Sequence, residues 1–219
     1  LFSHQVSVIM GDYLYSRAII ELVRLDDLEP LRVLSRVTNE MTVGEMRQLA
    51  QYDALAFGEA DYEVTIRSKT ATLLSAACES GALRAEPRLR AALRAYGDAL
   101  GMAFQITDDL LDYVSDATTM GKNVGDDLAE GKPTLPLIYA IRHGTAEQAR
   151  RVRHAIEHGG RDELAAVIET IHSTGALDYA REQARRESRA AGEALARLPH
   201  SRQREYLLEL ASFAVTRSF

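Results

Sequence analysis

The chain has 219 residues, 46% of them hydrophobic and 26% charged, with a formal net charge of -6, enough apolar material for one large globular domain or two small ones. Its single cysteine, Cys78, rules out an internal disulfide, and the acidic balance with scattered Lys and Arg rules out the electrostatic footprint of a nucleic-acid binder. No run of about 18 apolar residues is present to span a membrane, and the opening LFSHQVSVIM lacks the basic start and cleavage site of a secretory signal, so we expect a cytoplasmic protein.

Apolar residues at three- and four-residue spacing predict helices from Val6 to Leu25, Leu31 to Ala56, Tyr62 to Ser80 and Leu89 to Val114. The first, VSVIMGDYLYSRAIIELV, is apolar nearly all round, which implies burial on more than one side, either in a large core or against a second subunit in a homodimer. Because the chain opens on Leu1 within what reads as mid-helix, we also expect it to lack the beginning of its domain. Helix-ending signals fall at Glu29-Pro30, Gly58, Gly81, Glu86-Pro87 and in the Gly and Pro cluster from Gly121 to Pro136. Further helices are predicted from Leu135 to His143, Thr145 to His158, Asp162 to His172, Leu177 to Leu198 and Arg202 to Thr216. Thr145 with Gln148 fits a capping box, and Gly159-Gly160 fits a stop. With no period-two run, fixed repeat or low-complexity linker, the expectation is a single all-α domain over residues 1–219.

One stretch works against its own helix. FQITDDLLDY, residues 104–113, places Asp108 and Asp112 one turn apart on one face, where like charges repel by a few tenths of a kcal/mol. On this helix Leu89, Leu93, Tyr96, Leu100, Phe104, Thr107 and Leu111 form the core stripe, and Gly97, Gly101, Gln105, Asp108 and Asp112 form a second stripe beside it. A helical glycine costs about 1 kcal/mol relative to alanine, so two on one face imply that space is needed there, and we expect a cavity with carboxylates at one end. Carboxylate oxygens suit Mg²⁺, which takes one or two protein carboxylates and completes its shell with water and phosphate oxygens. The bare triplet fits a solvated acidic helix end equally well, above all at Asp109, which points some 90° away from the other two by helical geometry.

The next stretch favours the cavity. GKNVGDDLAEGKPTLP, residues 121–136, sets Lys122, Asp126, Asp127, Glu130 and Lys132 among flexible glycines, a combination suited to phosphate binding beside a metal. It is not a Walker A loop, whose glycine spacing and Ser/Thr it lacks. Upstream, in IRSKTATLLSAA at residues 66–77, Lys69 interrupts an apolar stripe. Its stem either snorkels to the surface or reaches the same phosphate cluster together with Thr70. In GEMRQLAQYD, residues 44–53, Glu45 carries no role on chemistry alone.

TDDLLDY, KTA, GEMRQL and above all GKNVGDDLAEGKPTLPLIYA resemble the trans-isoprenyl diphosphate synthases, and most closely the bacterial long-chain, octaprenyl-type members, from about Val6 to the C-terminus. The resemblance implies an all-α isoprenoid-synthase bundle around a central cavity, a homodimer, and a Mg²⁺-dependent prenyltransferase. In such an enzyme an allylic diphosphate ionises, isopentenyl diphosphate attacks the cation, and a proton leaves. It further implies that Asp108 and Asp112 hold a metal supported by Asp109, and that Asp127 orders its water shell. Lys69, Lys122 and Lys132 would clamp the allylic diphosphate, while Thr70 and Gln105 would face the reacting carbons.

The sequence departs from the family at one place. The first aspartate-rich motif and the basic residues for isopentenyl diphosphate, which the family carries upstream, are not among these residues, so the polypeptide as written is expected not to be competent alone. Two other readings remain: a non-catalytic partner subunit, against which the retained Asp108, Asp112, Lys69 and Lys122 argue, and a helical interaction protein with an acidic patch. Terpene cyclases share the fold but carry a different second metal motif. Product length is not legible, because the residues that line the floor of the chain cavity lie near the upstream motif.

Overall fold

The computed structural model describes residues 3–50, 57–114 and 125–217, with the side chains of 47–50 and 161 outside that description. Among the described residues every regular element is a helix. In chain order these are α1 (His4–Arg24), α2 (Leu28–Ala50), α3 (Glu59–Ile66), a π-helical turn (Arg67–Ala71), α4 (Thr72–Ser80), α5 (Pro87–Leu111) and α6 (Asp126–Ala129), followed by α7 (Leu135–His143), α8 (Ala146–His158), a 3-10 turn (Arg161–Glu163), α9 (Leu164–Ser173), α10 (Ala176–Leu195) and α11 (Arg202–Thr216). No described helix is long and apolar enough to cross a membrane.

The α5 helix is the axis of the bundle. It packs against α4, the π turn, α10 and α11, and residues on all its sides, from Ala92 and Tyr96 to Met102, Ile106 and Leu111, are buried. Close packing of α10 on α5 follows from a row of small residues, Ala176, Ala180, Ala184 and Ala191, all buried. Local signals hold the ends in place. Pro87 opens α5. Thr145 and Gln148 cap each other's backbone at the start of α8, and Gly159 closes that helix at φ 65°.

Of the two alternatives that the sequence left for α1, the core of this chain does not supply the first, since none of its residues is buried within the chain. Val8, Ile9, Met10, Leu14 and Val23 are each more than half exposed, at 53%, 66%, 51%, 61% and 62%. Its main described packing is against α2, so its apolar circumference is not explained by the core of the described residues.

The continuous helix expected over residues 62–80 is interrupted, because Arg67–Ala71 winds as a π turn between α3 and α4. A wider turn shifts the phase of everything after it. Leu73, seven residues after Ile66 and so on the same face of an unbroken α-helix, is therefore 44% exposed while Ile66 is 5% exposed.

The two helical glycines of α5 also act otherwise than expected. A Cβ on Gly97 would lie 2.5 Å from the Leu74 carbonyl oxygen, and one on Gly101 would lie 2.4 Å from the Ala71 Cα. The space they leave is filled by neighbouring backbone, not by a cavity. Phe104, assigned to the core stripe, is 37% exposed instead.

Candidate active site

The last turns of α5, residues 62–66 of α3, Lys69 of the π turn and the α6 segment line a cavity of about 230 Å³. Its wall includes Asp108, Asp109, Asp112, Asp127, Lys69, Lys132 and Gln105. Lys122 lies outside the described residues. Gly101 explains how Lys69 reaches this wall, since it lets the π turn that carries Lys69 and Thr70 sit directly on α5. Thr70 is not part of the wall itself, because its hydroxyl donates to Gln105 Oε1 at 2.8 Å.

The three aspartates of the motif have three different environments. Asp108 is the most open, with a side chain 42% exposed, and its Oδ1 lies 3.5 Å from Arg217 Nη2. Asp112 stands at the C-terminal end of α5, where Oδ2 accepts from the Asp127 backbone N–H at 3.1 Å. Burial and the nearby Asp127 raise its pKa to about 6, against the backbone hydrogen bonds that favour the charged form.

Asp109 corrects the expectation of a solvated end. It is only 6% exposed, with Oδ2 accepting from the Tyr62 hydroxyl at 2.7 Å and Oδ1 from Gln105 Nε2 at 2.7 Å. Burial pushes its pKa up to about 7, although both hydrogen bonds oppose the shift. Each Asp109 oxygen therefore already accepts one hydrogen bond from a protein donor.

Across the cavity, Lys132 Nζ bridges Asp127 Oδ1 at 3.0 Å and Glu130 Oε2 at 2.6 Å. Burial works against its charge, but those hydrogen bonds outweigh it and hold the ammonium above the usual lysine range. Lys69 Nζ is 3.2 Å from Glu45 Oε1, with both side chains half exposed, so Glu45 gains a role that its sequence context did not reveal. At the floor, the buried Tyr113 hydroxyl and Thr134 Oγ1 are 2.9 Å apart.

Arg217 was not singled out by the sequence. It is nearly buried, with Nη2 3.1 Å from the Phe104 carbonyl oxygen and its guanidinium 4.0 Å from the centre of the Phe104 ring. Nothing in a Thr-Arg following a terminal helix signals this contact, since Phe104 lies 113 residues away.

Among the described wall residues, six carboxylates face two lysines, an excess of negative charge that calls for cations. Yet no three of the described His, Cys, Asp or Glu side chains converge closely enough to hold an ion by themselves. That arrangement suits Mg²⁺, which commonly takes only one or two protein carboxylates and leaves its other positions to water and phosphate oxygens.

Comparison with known proteins agrees with this chemistry. The family model described as polyprenyl synthetase matches residues 1–173. The chain is 42% identical to an octaprenyl diphosphate synthase of Haemophilus influenzae, covering 100% of this chain and 67% of that protein. It is 44% identical to the octaprenyl diphosphate synthase of Escherichia coli, covering 99% of this chain and 68% of that protein. Among solved structures, a polyprenyl synthase from Caulobacter crescentus complexed with calcium and isoprenyl diphosphate superimposes with a TM-score of 0.92 at 38% identity, covering 98% of this chain and 67% of that one.

Proposed function

The chain belongs to the polyprenyl synthetase family, and from that premise we propose that it condenses an allylic diphosphate, such as farnesyl diphosphate, head-to-tail with isopentenyl diphosphate to give a long-chain all-trans polyprenyl diphosphate. One observation carries the reading: an acidic helix end and a lysine-bearing loop face each other across a single small cavity. Lysines alone would suit an anion, and carboxylates alone a cation. Both together suit a diphosphate that arrives with its metal.

The same reading divides the labour among the wall residues. Asp108 and Asp112, whose oxygens are less engaged by the protein than those of Asp109, would hold Mg²⁺, with Asp127 beside them. Magnesium, when bound, neutralises the charge that grows on the departing diphosphate. Lys69 on one wall and Lys132 on the other bind the diphosphate oxygens, exchanging part of their contact with Glu45 and with Asp127 and Glu130. The amide of Gln105, at the wall, and the hydroxyl hydrogen-bonded to it, on Thr70, present uncharged oxygens beside the allylic carbons. They orient lone pairs toward positive charge without themselves competing as nucleophiles. The proton lost on condensation passes to the released diphosphate. We also propose that a second copy of the chain covers the apolar face of α1, since a patch of that size rarely stays in water. Light scattering that gives a monomer mass would overturn this assembly.

The test is to incubate the enzyme, as its gene encodes it in full, with farnesyl diphosphate, isopentenyl diphosphate and Mg²⁺, and to size the products. Polyprenyl diphosphates well beyond four isoprene units are expected. Absence of any elongated product would refute the assignment.

A further inference from the structure

Tyr62 lies on α3, and its side chain enters the cavity wall with only 3% exposure. A buried tyrosine hydroxyl needs a partner, and here it donates to Asp109 Oδ2 at 2.7 Å. The consequence passes along a line of hydrogen bonds. With the tyrosine hydroxyl on Oδ2, the other Asp109 oxygen, Oδ1, takes the NH₂ of Gln105 and not its carbonyl, at 2.7 Å. The Gln105 carbonyl oxygen therefore points the other way, where the Thr70 hydroxyl donates to it at 2.8 Å. Tyr62, Asp109, Gln105 and Thr70 form one chain whose polarity is fixed from the tyrosine end.

Without the tyrosine hydroxyl, one Asp109 oxygen would face a buried apolar gap. The carboxylate would then be free to turn, and an amide whose partner turns can flip. A flipped Gln105 would direct its NH₂, the positive end of its dipole, toward Thr70 and the adjoining cavity wall. Donors there oppose a developing carbocation, whereas a carbonyl oxygen stabilises it.

We propose that Tyr62 is a positioning residue for prenyl transfer, holding the Gln105 amide through Asp109 in the orientation that presents its carbonyl oxygen toward Thr70. The proposal rests on the prenyltransferase reading above. It requires no contact between Tyr62 and substrate or metal.

The test is Tyr62→Phe in the enzyme encoded by the full gene, assayed at saturating farnesyl and isopentenyl diphosphate. The expected result is a 10- to 100-fold lower kcat, KM values for both substrates within twofold of wild type, and an unchanged Mg²⁺ concentration for half-maximal rate. In a Gln105→Ala background, Tyr62→Phe should lower kcat by less than twofold further, since its route to the reaction is already cut. Unaltered kcat in Tyr62→Phe, or losses that multiply fully in the double variant, would overturn the proposal. Should Tyr62→Phe not fold, Asp109→Asn supplies the second measurement, because its NH₂ invites the flipped amide. It should lower kcat with the same Mg²⁺ requirement, and recovery of wild-type kcat simply by raising Mg²⁺ would make Asp109 a metal ligand and sink the idea. A wild-type enzyme that elongates no prenyl chain refutes the function itself, a result distinct from every outcome for the variants.

Discussion

Replacing Gly101 with alanine separates the positioning of the site from the stability of the fold. The added Cβ would stand 2.4 Å from the Ala71 Cα, 3.0 Å from the Ala71 Cβ and 3.2 Å from the Ala71 nitrogen, where ordinary contacts are 3.4–4 Å. Backbone cannot swing aside as a side chain does, so α5 and the π turn must part by about 1 Å, judged from that overlap. Overpacking of this kind costs roughly 1–3 kcal/mol, and alanine returns about 1 kcal/mol of helix propensity, leaving a net loss of about 0–2 kcal/mol. At roughly 2–4 °C per kcal/mol for a chain of this size, the melting temperature should fall by less than about 8 °C. Turnover should suffer much more. Ala71 follows Thr70 directly and lies two residues from Lys69, and a 1 Å misplacement of such groups can cost on the order of 100-fold. The assay pairs a thermal melt with kcat for chain elongation by the full-length enzyme. Gly192→Ala is the control, because its Cβ would meet only the Leu208 Cδ2 at 3.5 Å and should leave both quantities near wild type. A Gly101→Ala enzyme with more than half the wild-type kcat would refute the reasoning.

Asp108→Ala should lower turnover by several orders of magnitude with the helical circular dichroism intact, because Asp108 keeps an open oxygen toward the cavity; near-normal turnover would remove it from the metal site. In metal-free protein, burial raises Asp109 to about 7 and Asp112 to about 6, so the fold prefers their protonated forms. The stability this confers is complete below about pH 4, the ordinary aspartate range, and is lost as pH rises through 6 and 7, by up to about 4 kcal/mol from Asp109. Melting temperature should thus fall from pH 5 to pH 8 and flatten in Asp109→Asn; a rise over that interval would contradict the buried, metal-free carboxylates. Glu79 is 4% exposed between Arg36 at 2.7 Å and Arg90 at 2.8 Å but does not line the acidic cavity. Glu79→Gln should therefore cost about 1–3 kcal/mol in urea unfolding while kcat of the folded enzyme stays constant, and a matching loss of kcat would show that the ion cluster reaches the site.

What the sequence conveyed well was periodic, and what it did not convey depended on neighbours distant along the chain. Helix content and the capping of α8 by Thr145 and Gln148 follow from spacing within a few residues, and the acidic helix and the loop around Asp127 are joined by a short connection of the chain. The π turn does not, since Arg67–Ala71 contains no glycine or proline to mark it, and a helical wheel drawn through it places Leu73 on the wrong face. The glycines at 97 and 101 signalled that room was needed, yet nothing local states whether a ligand or another helix occupies it; the answer is the backbone of residues 71, 74 and 75. The partner that turns Asp109 from a surface acid into a buried brace is Tyr62, 47 residues earlier.

The last turn of α5 gathers charge where charge is least welcome. Asp108 and Asp112 repel across one turn, and both lie at the end where the helix's free carbonyls already carry partial negative charge. The protein's own compensation is unequal. Asp109 receives two short hydrogen bonds and is locked, whereas Asp112 receives backbone N–H contacts and Asp108 only an arginine at 3.5 Å. A carboxylate fully satisfied by the fold gains little from a cation, while one left half satisfied gains much. The same run of aspartates is thus satisfied unequally by the donors that the rest of the chain supplies, Asp109 most and Asp108 least. If the proposed function holds, a metal-bound diphosphate would remove this electrostatic cost, and metal and diphosphate should bind cooperatively, which calorimetry with Mg²⁺ and inorganic diphosphate, together and apart, would show; independent binding of the two would refute the coupling.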